Sequence, residues 1–343
     1  MMGKIATFGE IMLRLSPPGY LRLHQTNSFD VIFGGAEANV SVSLANYGLD
    51  PVFISAVPNN PIGDAALNSL RWFGVDTSKV LRQGERLGIY YCEKGAAMRP
   101  SKVVYDRKYS SISAVKAGDF DWDKALDGVT WLHWTGITPA LSDGTAAAVL
   151  EAVKAAKAKG ITISCDLNYR KNLWSREKAG QVMGELVPYV DVLIANEEDA
   201  ADVFGIHADA TDINSGKLSV DGYKSVAKQL VDRFGVKKVG ITLRESLSAS
   251  DNNWSGLLYD GATGEVYTSK KYSIHIVDRV GGGDSFGAGL IFGLTNGYDN
   301  QQTIEFAAAA SALKHTVEGD YNFASLPEVQ ALMGGNASGR VQR

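Results

Sequence analysis

The chain has 343 residues, 45% of them hydrophobic, and its 38 acidic and 34 basic side chains leave a formal net charge of −4. That length allows one large α/β domain with an accessory element, or two domains, and the interspersed charges exclude the broad basic field of a nucleic-acid binder. No apolar run is long enough to span a bilayer, and the only cysteines, Cys92 and Cys165, have no partner spacing for a disulfide framework or a zinc site. Glu10 and Arg14 break the charged-then-apolar order of a signal peptide, so a cytoplasmic location is expected.

Lys4–Phe8 reads as a strand closed by Gly9. Residues 13–33 lack helical periodicity, carry Pro17-Pro18-Gly19, and end in the alternation Phe29, Val31, Phe33, which suits a strand with one covered face. After Gly34-Gly35 the pattern turns helical over Ala36–Tyr47, with Gly48 at the C-terminal position that favours a left-handed residue. Val52–Val57 then reads as a buried strand and Ile62–Phe73 as a helix. Residues 88–115 have hairpin character: Ile89–Cys92, a turn from Lys94-Gly95 through Pro100, and Val103–Tyr105. Together with 13–33 this hairpin is expected to form a small sheet standing off the main domain.

From Val129 the order is regular: strand Val129–Trp134, helix Gly144–Lys159, strand Ile161–Asp166, helix Ser175–Leu186, strand Val190–Ala195, helices Glu197–Phe204 and Val220–Phe234, strand Lys238–Leu243. Such alternation implies βαβ units and a parallel sheet. Trp254–Tyr259 and Glu265–Tyr272 read as an antiparallel extension. A helix over Ser285–Thr295 and an alanine-rich helix over Thr303–Val317 close the core, and 336–343 reads as a loose polar tail. Trp131, His133 and Trp134 are read as packing on their strand.

In an open parallel sheet, ligands bind beyond the carboxyl ends of the strands. Three polar runs stand there: Asp166-Leu167-Asn168-Tyr169-Arg170, Asn196-Glu197-Glu198-Asp199 and Arg244-Glu245-Ser246. Each alone suits a helix cap or a solvated acid pair equally well. The densest candidate is Asp278 to Gly289. Its three consecutive glycines, 281 to 283, let backbone N–H groups converge on one point. Phe286, Leu290, Ile291 and Leu294 follow at helical spacing, which sets those amides at a helix N-terminus where the dipole favours an anion. Asp284 then stands at the mouth of a phosphate site, although the run by itself equally suits a glycine turn capped by Asp284.

This run resembles the second signature of the ribokinase-like (PfkB) carbohydrate kinases, Asp-Thr-x-Gly-Ala-Gly-Asp-x-Phe-x-x-Gly. Asp278, Gly281, Gly283, Asp284, Phe286 and Gly289 match, whereas Arg279 replaces Thr and Gly282 replaces Ala, the latter expected to be harmless. The first signature is met by Gly34, Gly35, Asn39, Ala45 and Gly48, with Ser41 where Ala is usual. The resemblance implies a Rossmann-like three-layer α/β/α core of ribokinase type, built from 1–12, 34–87 and 116–335, with a β-sheet lid from 13–33 and 88–115. It also implies ATP and Mg2+ as cofactors. Asp284 would be the catalytic base, with Gly281, Gly282 and Gly283 stabilising charge on the transferred group. Gly34, Gly35 and Asn39 would meet the sugar; Asn196, Thr242, Arg244, Gly281 and Gly283 the nucleotide; and Asn196, Asp199 and Asp278 the metal and its waters. Asp199 stands where the family has Glu, and Arg244-Glu245-Ser246 departs from the family's Leu-Gly-x-x-Gly type of turn.

Tyr105-Asp106-Arg107 ends the second hairpin strand, where alternation sends Tyr105 and Arg107 to one face. A guanidinium over the sugar site suits a carboxylate, which it can bind bidentately. Tyr90, Tyr105, Arg107 and Arg170, with the run Asp166–Trp174, are similar to the 2-keto-3-deoxygluconate kinase branch. That similarity implies a sugar acid, 2-dehydro-3-deoxy-D-gluconate, phosphorylated at its terminal hydroxyl to the 6-phosphate; a fructokinase or other neutral-sugar kinase is the alternative. A dinucleotide-dependent dehydrogenase is argued against, because Gly9 leads into Glu10-Ile11-Met12 with no Gly-x-Gly-x-x-Gly. A catalytically idle sugar sensor would be expected to have lost Asp284. The expected partners are a sugar acid and ATP, with neither nucleic acid nor membrane, and a second copy of the chain covering the edges of the lid to form a homodimer.

Overall fold

The computed structural model describes residues 3–208 and 220–336. Within them, runs that are apolar at nearly every position, such as Ile5–Phe8 and Val52–Val57, become strands covered on both faces. The first strands are β1 (Lys4–Phe8), β2 (Met12–Ser16), β3 (Asp30–Gly34), β4 (Pro51–Val57) and β5 (Val80–Arg82). Next come β6 (Gly88–Glu93), β7 (Lys102–Asp106), β8 (Val129–Thr135), β9 (Thr162–Asp166) and β10 (Val192–Ala195). The last are β11 (Lys238–Ser246), β12 (Asp251–Asp260), β13 (Glu265–Thr268) and β14 (Tyr272–His275).

Ten of these make one sheet, in the order β13-β12-β11-β10-β9-β8-β1-β4-β5 with β14 also paired to β12. From β11 to β5 all neighbours are parallel, and β12 to β14 add antiparallel partners. The other four strands form a separate sheet, β3-β2-β6-β7. This is the α/β class expected from the sequence. One apolar cluster fills the face covered by the helices Asp143–Ala158, Arg176–Leu186 and Val220–Phe234. Another lies beneath Ala36–Asn46, Gly282–Thr295 and Asn300–Lys314 on the opposite face. Three layers result. Phe286 and Leu290 lock the helix Gly282–Thr295 onto Ile194 and Leu258 of the sheet. Burial of such a side chain is worth about 1.5–3 kcal/mol, so the glycine run at the start of that helix rests on a rigid base.

Several local expectations are corrected. The stretch 13–33 contributes two strands, β2 and β3, not one. Arg14 hides β2 from a hydrophobicity reading, because it is a fully buried charged residue at an inward position. The helix expected from Ser285 begins at Gly282, so the glycines form its first turn. Arg244-Glu245-Ser246, read as a polar run beyond a strand ending at Leu243, prolongs β11 instead, paired antiparallel out to Ser246 opposite Asn252. Glu265–Tyr272 divides into β13 and β14. Trp131 and His133 pack on their strand as read, both bonded to Ser164 Oγ at 2.8 Å. Apart from Asn336, the tail read over 336–343 lies outside the described residues. Among the described residues no helix is long and apolar enough to cross a membrane.

Candidate active site

A cavity of about 1080 Å³ opens beyond the carboxyl ends of β9 and β10 and beside β11, with the small sheet on its far side. Its wall brings together residues from seven parts of the sequence. They include Gly35 and Asn39 after β3, Tyr90 and Tyr105 of the small sheet, Asp166 and Asn168 to Arg170, Asn196, Glu198 and Asp199, Thr242 and Arg244, and the bend Gly281, Gly283, Asp284. Gly34 lies just behind, where a Cβ would meet Asp320.

The bend is set by Gly281, which caps the helix Gly282–Thr295 in the left-handed region at φ 84°. A side chain there would be strained, and its Cβ would strike the Asp320 carbonyl oxygen. Gly283 faces open space, so its backbone can be approached closely by a ligand. Unpaired N–H groups at a helix start form an anion site. Asp284, half-buried in the first helical turn, accepts a hydrogen bond from Asn39 Nδ2 at 2.7 Å. Burial raises its pKa to about 6, against the pull of Asn39. A carboxylate so tuned remains ionised at neutral pH yet is a better proton acceptor than an ordinary aspartate.

Beneath the bend runs a buried polar network. Arg14, on β2 and fully buried, donates from Nη2 to Asp278 at 2.7 Å, from Nη1 to Asp320 at 2.8 Å and from Nε to Ser16 at 2.8 Å. Burial opposes its charge, but Asp320 and Asp278 prevail and its pKa is raised. Tyr90 donates its hydroxyl to Asp320. Asp278 also takes the backbone N–H groups of Val280 and Gly319, each at 3.2 Å. With its oxygens committed and 3% of its surface exposed, Asp278 does not line the cavity, unlike the other residues expected about a metal. Lys314, buried nearby, has its pKa lowered to about 8 by desolvation, against the pull of Asp278 and Asp320.

Across the cavity, Asn196 caps the helix Glu197–Phe204 by accepting from Asp199 N at 2.7 Å. Asp199 accepts from Tyr169 N at 3.2 Å, and burial lifts its pKa to about 6 despite Arg170. Burial, with Asp199 and Asp284 close by, raises the Asp166 pKa well above the usual carboxylate range. Exposed Arg170 donates only to its neighbour's carbonyl oxygen at 2.9 Å and makes no ion pair among the described residues. Among the described residues, no three acids, histidines or cysteines are arranged as a closed metal cage. A few oxygen donors at an open mouth fit Mg2+, which keeps most of its water and takes the rest of its shell from phosphate. Toward β12, Trp254 also lines the cavity; its indole N–H is buried without a partner, so a ligand acceptor would suit that wall.

Arg107 does reach the cavity wall, but it is not a free cation. Its guanidinium grips Glu10, from Nε at 2.9 Å and from Nη2 as well, while Ser110 holds the other carboxylate oxygen at 2.7 Å. It also stacks over the Tyr105 ring, 5.2 Å from the centroid. Gly282 carries a constraint the sequence hides, since a Cβ there would lie 2.4 Å from the His315 ring. The part that Arg14, Glu10, Lys314 and Asp320 play in the site is not legible in the sequence. Each is a lone charge in an unremarkable segment, and the partner that gives it meaning lies far away, 306 residues for Arg14 and Asp320.

The sequence pattern of the pfkB family of carbohydrate kinases matches residues 2–328. A 2-dehydro-3-deoxygalactonokinase of Haloferax volcanii is 32% identical over 339 residues, which span 99% of each chain. The crystal structure of a 2-dehydro-3-deoxygluconokinase from Thermotoga maritima superposes with a TM-score of 0.93 at 52% identity, covering 97% of this chain and 100% of the other. A protein of E. coli assigned as a ribokinase II, solved with ATP and Mg2+, aligns over 97% of this chain and 99% of its own with a TM-score of 0.79. At 22% identity that last likeness concerns the fold alone.

Proposed function

The chain belongs to the pfkB family of carbohydrate kinases, and we propose that it transfers the γ-phosphoryl group of ATP to the terminal hydroxyl of 2-dehydro-3-deoxy-D-gluconate, giving the 6-phosphate. The observation that carries the substrate class is Arg170: a solvent-reaching guanidinium, without an ion pair among the described residues, lining the same cavity as Asp284. A neutral sugar gives such a group nothing to bind, whereas a carboxylate accepts its fork of donors.

In this reading Asp284 orients the sugar hydroxyl and accepts its proton on the oxygen not held by Asn39. The N–H groups of the bend and the helix N-terminus stabilise charge on the group in transit. Gly34, Gly35, Asn39, Tyr90 and Tyr105 form the sugar side of the pocket, and Arg107 shapes it through Tyr105. Thr242, Arg244 and the bend receive the nucleotide, while Asn196 and Asp199 face the metal's water shell. Mg2+-ATP, when bound, supplies the phosphoryl group and the metal charge that offsets it. The small sheet acts as a lid and dimerises with a second copy. Its exposed Val31, Val103 and Val104 offer apolar surface for that contact. A cytoplasmic location accords with this substrate and cofactor.

Because Glu10 already neutralises Arg107, a neutral-sugar kinase is the second reading. A coupled assay with Mg2+-ATP against 2-dehydro-3-deoxygluconate, its galactonate epimer, gluconate, fructose and ribose decides between them. The sugar-acid reading expects the first two to lead in kcat/KM; preference for fructose or ribose overturns it.

A further inference from the structure

Lys314 ends the helix Asn300–Lys314, and none of its surface reaches solvent. Buried lysines are ordinarily paired with a carboxylate. Lys314 instead donates to two main-chain carbonyl oxygens, those of Asp278 at 3.4 Å and Val317 at 3.2 Å. The two nearest acids are held by Arg14. The Lys314 stem passes directly under the bend, with Cε 3.2 Å from where a Cβ on Gly281 would sit.

The charged groups that face the ammonium are Asp278, Asp284, Asp320 and Arg14. Three carboxylates against one guanidinium would leave the ground beneath an anion site doubly negative. Lys314 brings the second cation. A hydrocarbon side chain would fill the same volume without the desolvation penalty. It would not offset those carboxylates when a phosphoryl group arrives above them. A fixed charge in a water-poor site also acts more strongly than one in bulk solvent.

We propose that Lys314 is a positioning residue for phosphoryl transfer, its ammonium tying the Asp278 loop to the turn at Val317 and setting a fixed positive charge beneath Gly281–Gly283. The proposal rests on the kinase reading above. It is tested with the full chain as wild type, Lys314→Met, Lys314→Gln and Lys314→Ala, assayed with Mg2+-ATP and 2-dehydro-3-deoxygluconate and followed by thermal melting. Lys314→Gln removes the charge while keeping an amide with two N–H donors on a stem one atom shorter, so it serves should Lys314→Met fail to fold.

All three uncharged variants are expected to lose about 10²–10³-fold in kcat, while KM for the sugar acid stays within about threefold. In Lys314→Ala, ammonium or methylammonium is expected to restore kcat by about tenfold or more, and tetramethylammonium, too large for the space, is not. A Lys314→Gln variant that melts like wild type and keeps kcat within about threefold overturns the proposal. A Lys314→Ala defect that neither small cation relieves does so too. A wild-type chain that phosphorylates none of the sugars removes the kinase reading and this proposal with it, and is distinguished because it is read on the unaltered protein.

Discussion

Asn39 Nδ2 lies 2.7 Å from Asp284 Oδ2, a hydrogen bond that joins the helix after the first glycine pair to the helix after the glycine bend, 245 residues apart in the chain. It couples the residue expected to meet the sugar to the one expected to take its proton.

The acid limb of kcat/KM should therefore follow Asp284. Burial sets its pKa at about 6, and Asn39 pulls it down. The working form is the carboxylate, so activity rises with pH through that value. Asn39→Ala withdraws a hydrogen bond to the ionised form and should move the limb to higher pH, by about one unit. Asp284→Asn should lower kcat by about 10²–10⁴-fold with ATP still bound. Pre-steady-state turnover and nucleotide titration check both, and near-normal kcat in Asp284→Asn removes Asp284 from the chemistry.

The two arginines of the pocket should separate cleanly. Arg170→Ala leaves no buried partner behind, so its melting temperature should match wild type while KM for the sugar acid rises about 10- to 100-fold. Arg107→Ala strands Glu10, which is 3% exposed, and should cost about 3–5 kcal/mol of stability. Urea unfolding of Arg107→Ala beside an Arg107→Gln/Glu10→Gln double variant isolates that effect; the double variant should be the more stable of the two.

Glu37 should make stability depend on pH. It is buried, and its Oε1 accepts from Thr135 N, Thr135 Oγ1 and Thr138 Oγ1 at 3.0, 2.8 and 2.7 Å. Burial lifts its pKa from 4.5 to about 7, against those donors. The folded chain thus holds a proton that the unfolded chain releases between those values, and stability falls as pH rises from 4.5 to about 7. The whole shift is worth about 3 kcal/mol. Glu37→Gln should flatten that slope, as melting curves across the window would report; an unchanged slope would show that Glu37 titrates normally.

The β-α alternation was legible because strands buried on both faces and helices with one apolar stripe leave different periods in the sequence. The glycine bend was legible because it needs glycine for backbone reasons alone. What stayed hidden depends on contacts between distant residues. Arg14 reads as a break in an apolar strand until Asp278 and Asp320 close around it. Arg244 to Ser246 reads as lying beyond the strand because β11 is apolar only up to Leu243, while its last residues are held by pairing with β12 and not by burial. Arg107 falls on the face that alternation assigns it, but its partner, Glu10, lies 97 residues away, where nothing in the local sequence marks the pair.

Gly282 stands where the family has alanine, yet alanine should not fit here. The methyl group would collide with His315, whose ring is held against Trp254 at a centroid distance of 4.8 Å and bonded to the Ser311 carbonyl. Overpacking of this kind costs about 1–3 kcal/mol. Gly282→Ala should lower the melting temperature and kcat, and adding His315→Ala should restore much of the stability. A single variant as stable as wild type would mean that the ring swings aside freely.

The small sheet is joined to the core by very short tethers: three residues, Gly9 to Ile11, lead from β1 into β2, and Gly35 alone separates β3 from the helix Ala36–Asn46. Any rocking of that sheet would have to bend the chain at these tethers, among them Gly34 and Gly35, the pair proposed to meet the sugar. On that proposal, a molecule seated there would touch one of the tethers, so the contact that recognises it should also damp the swing.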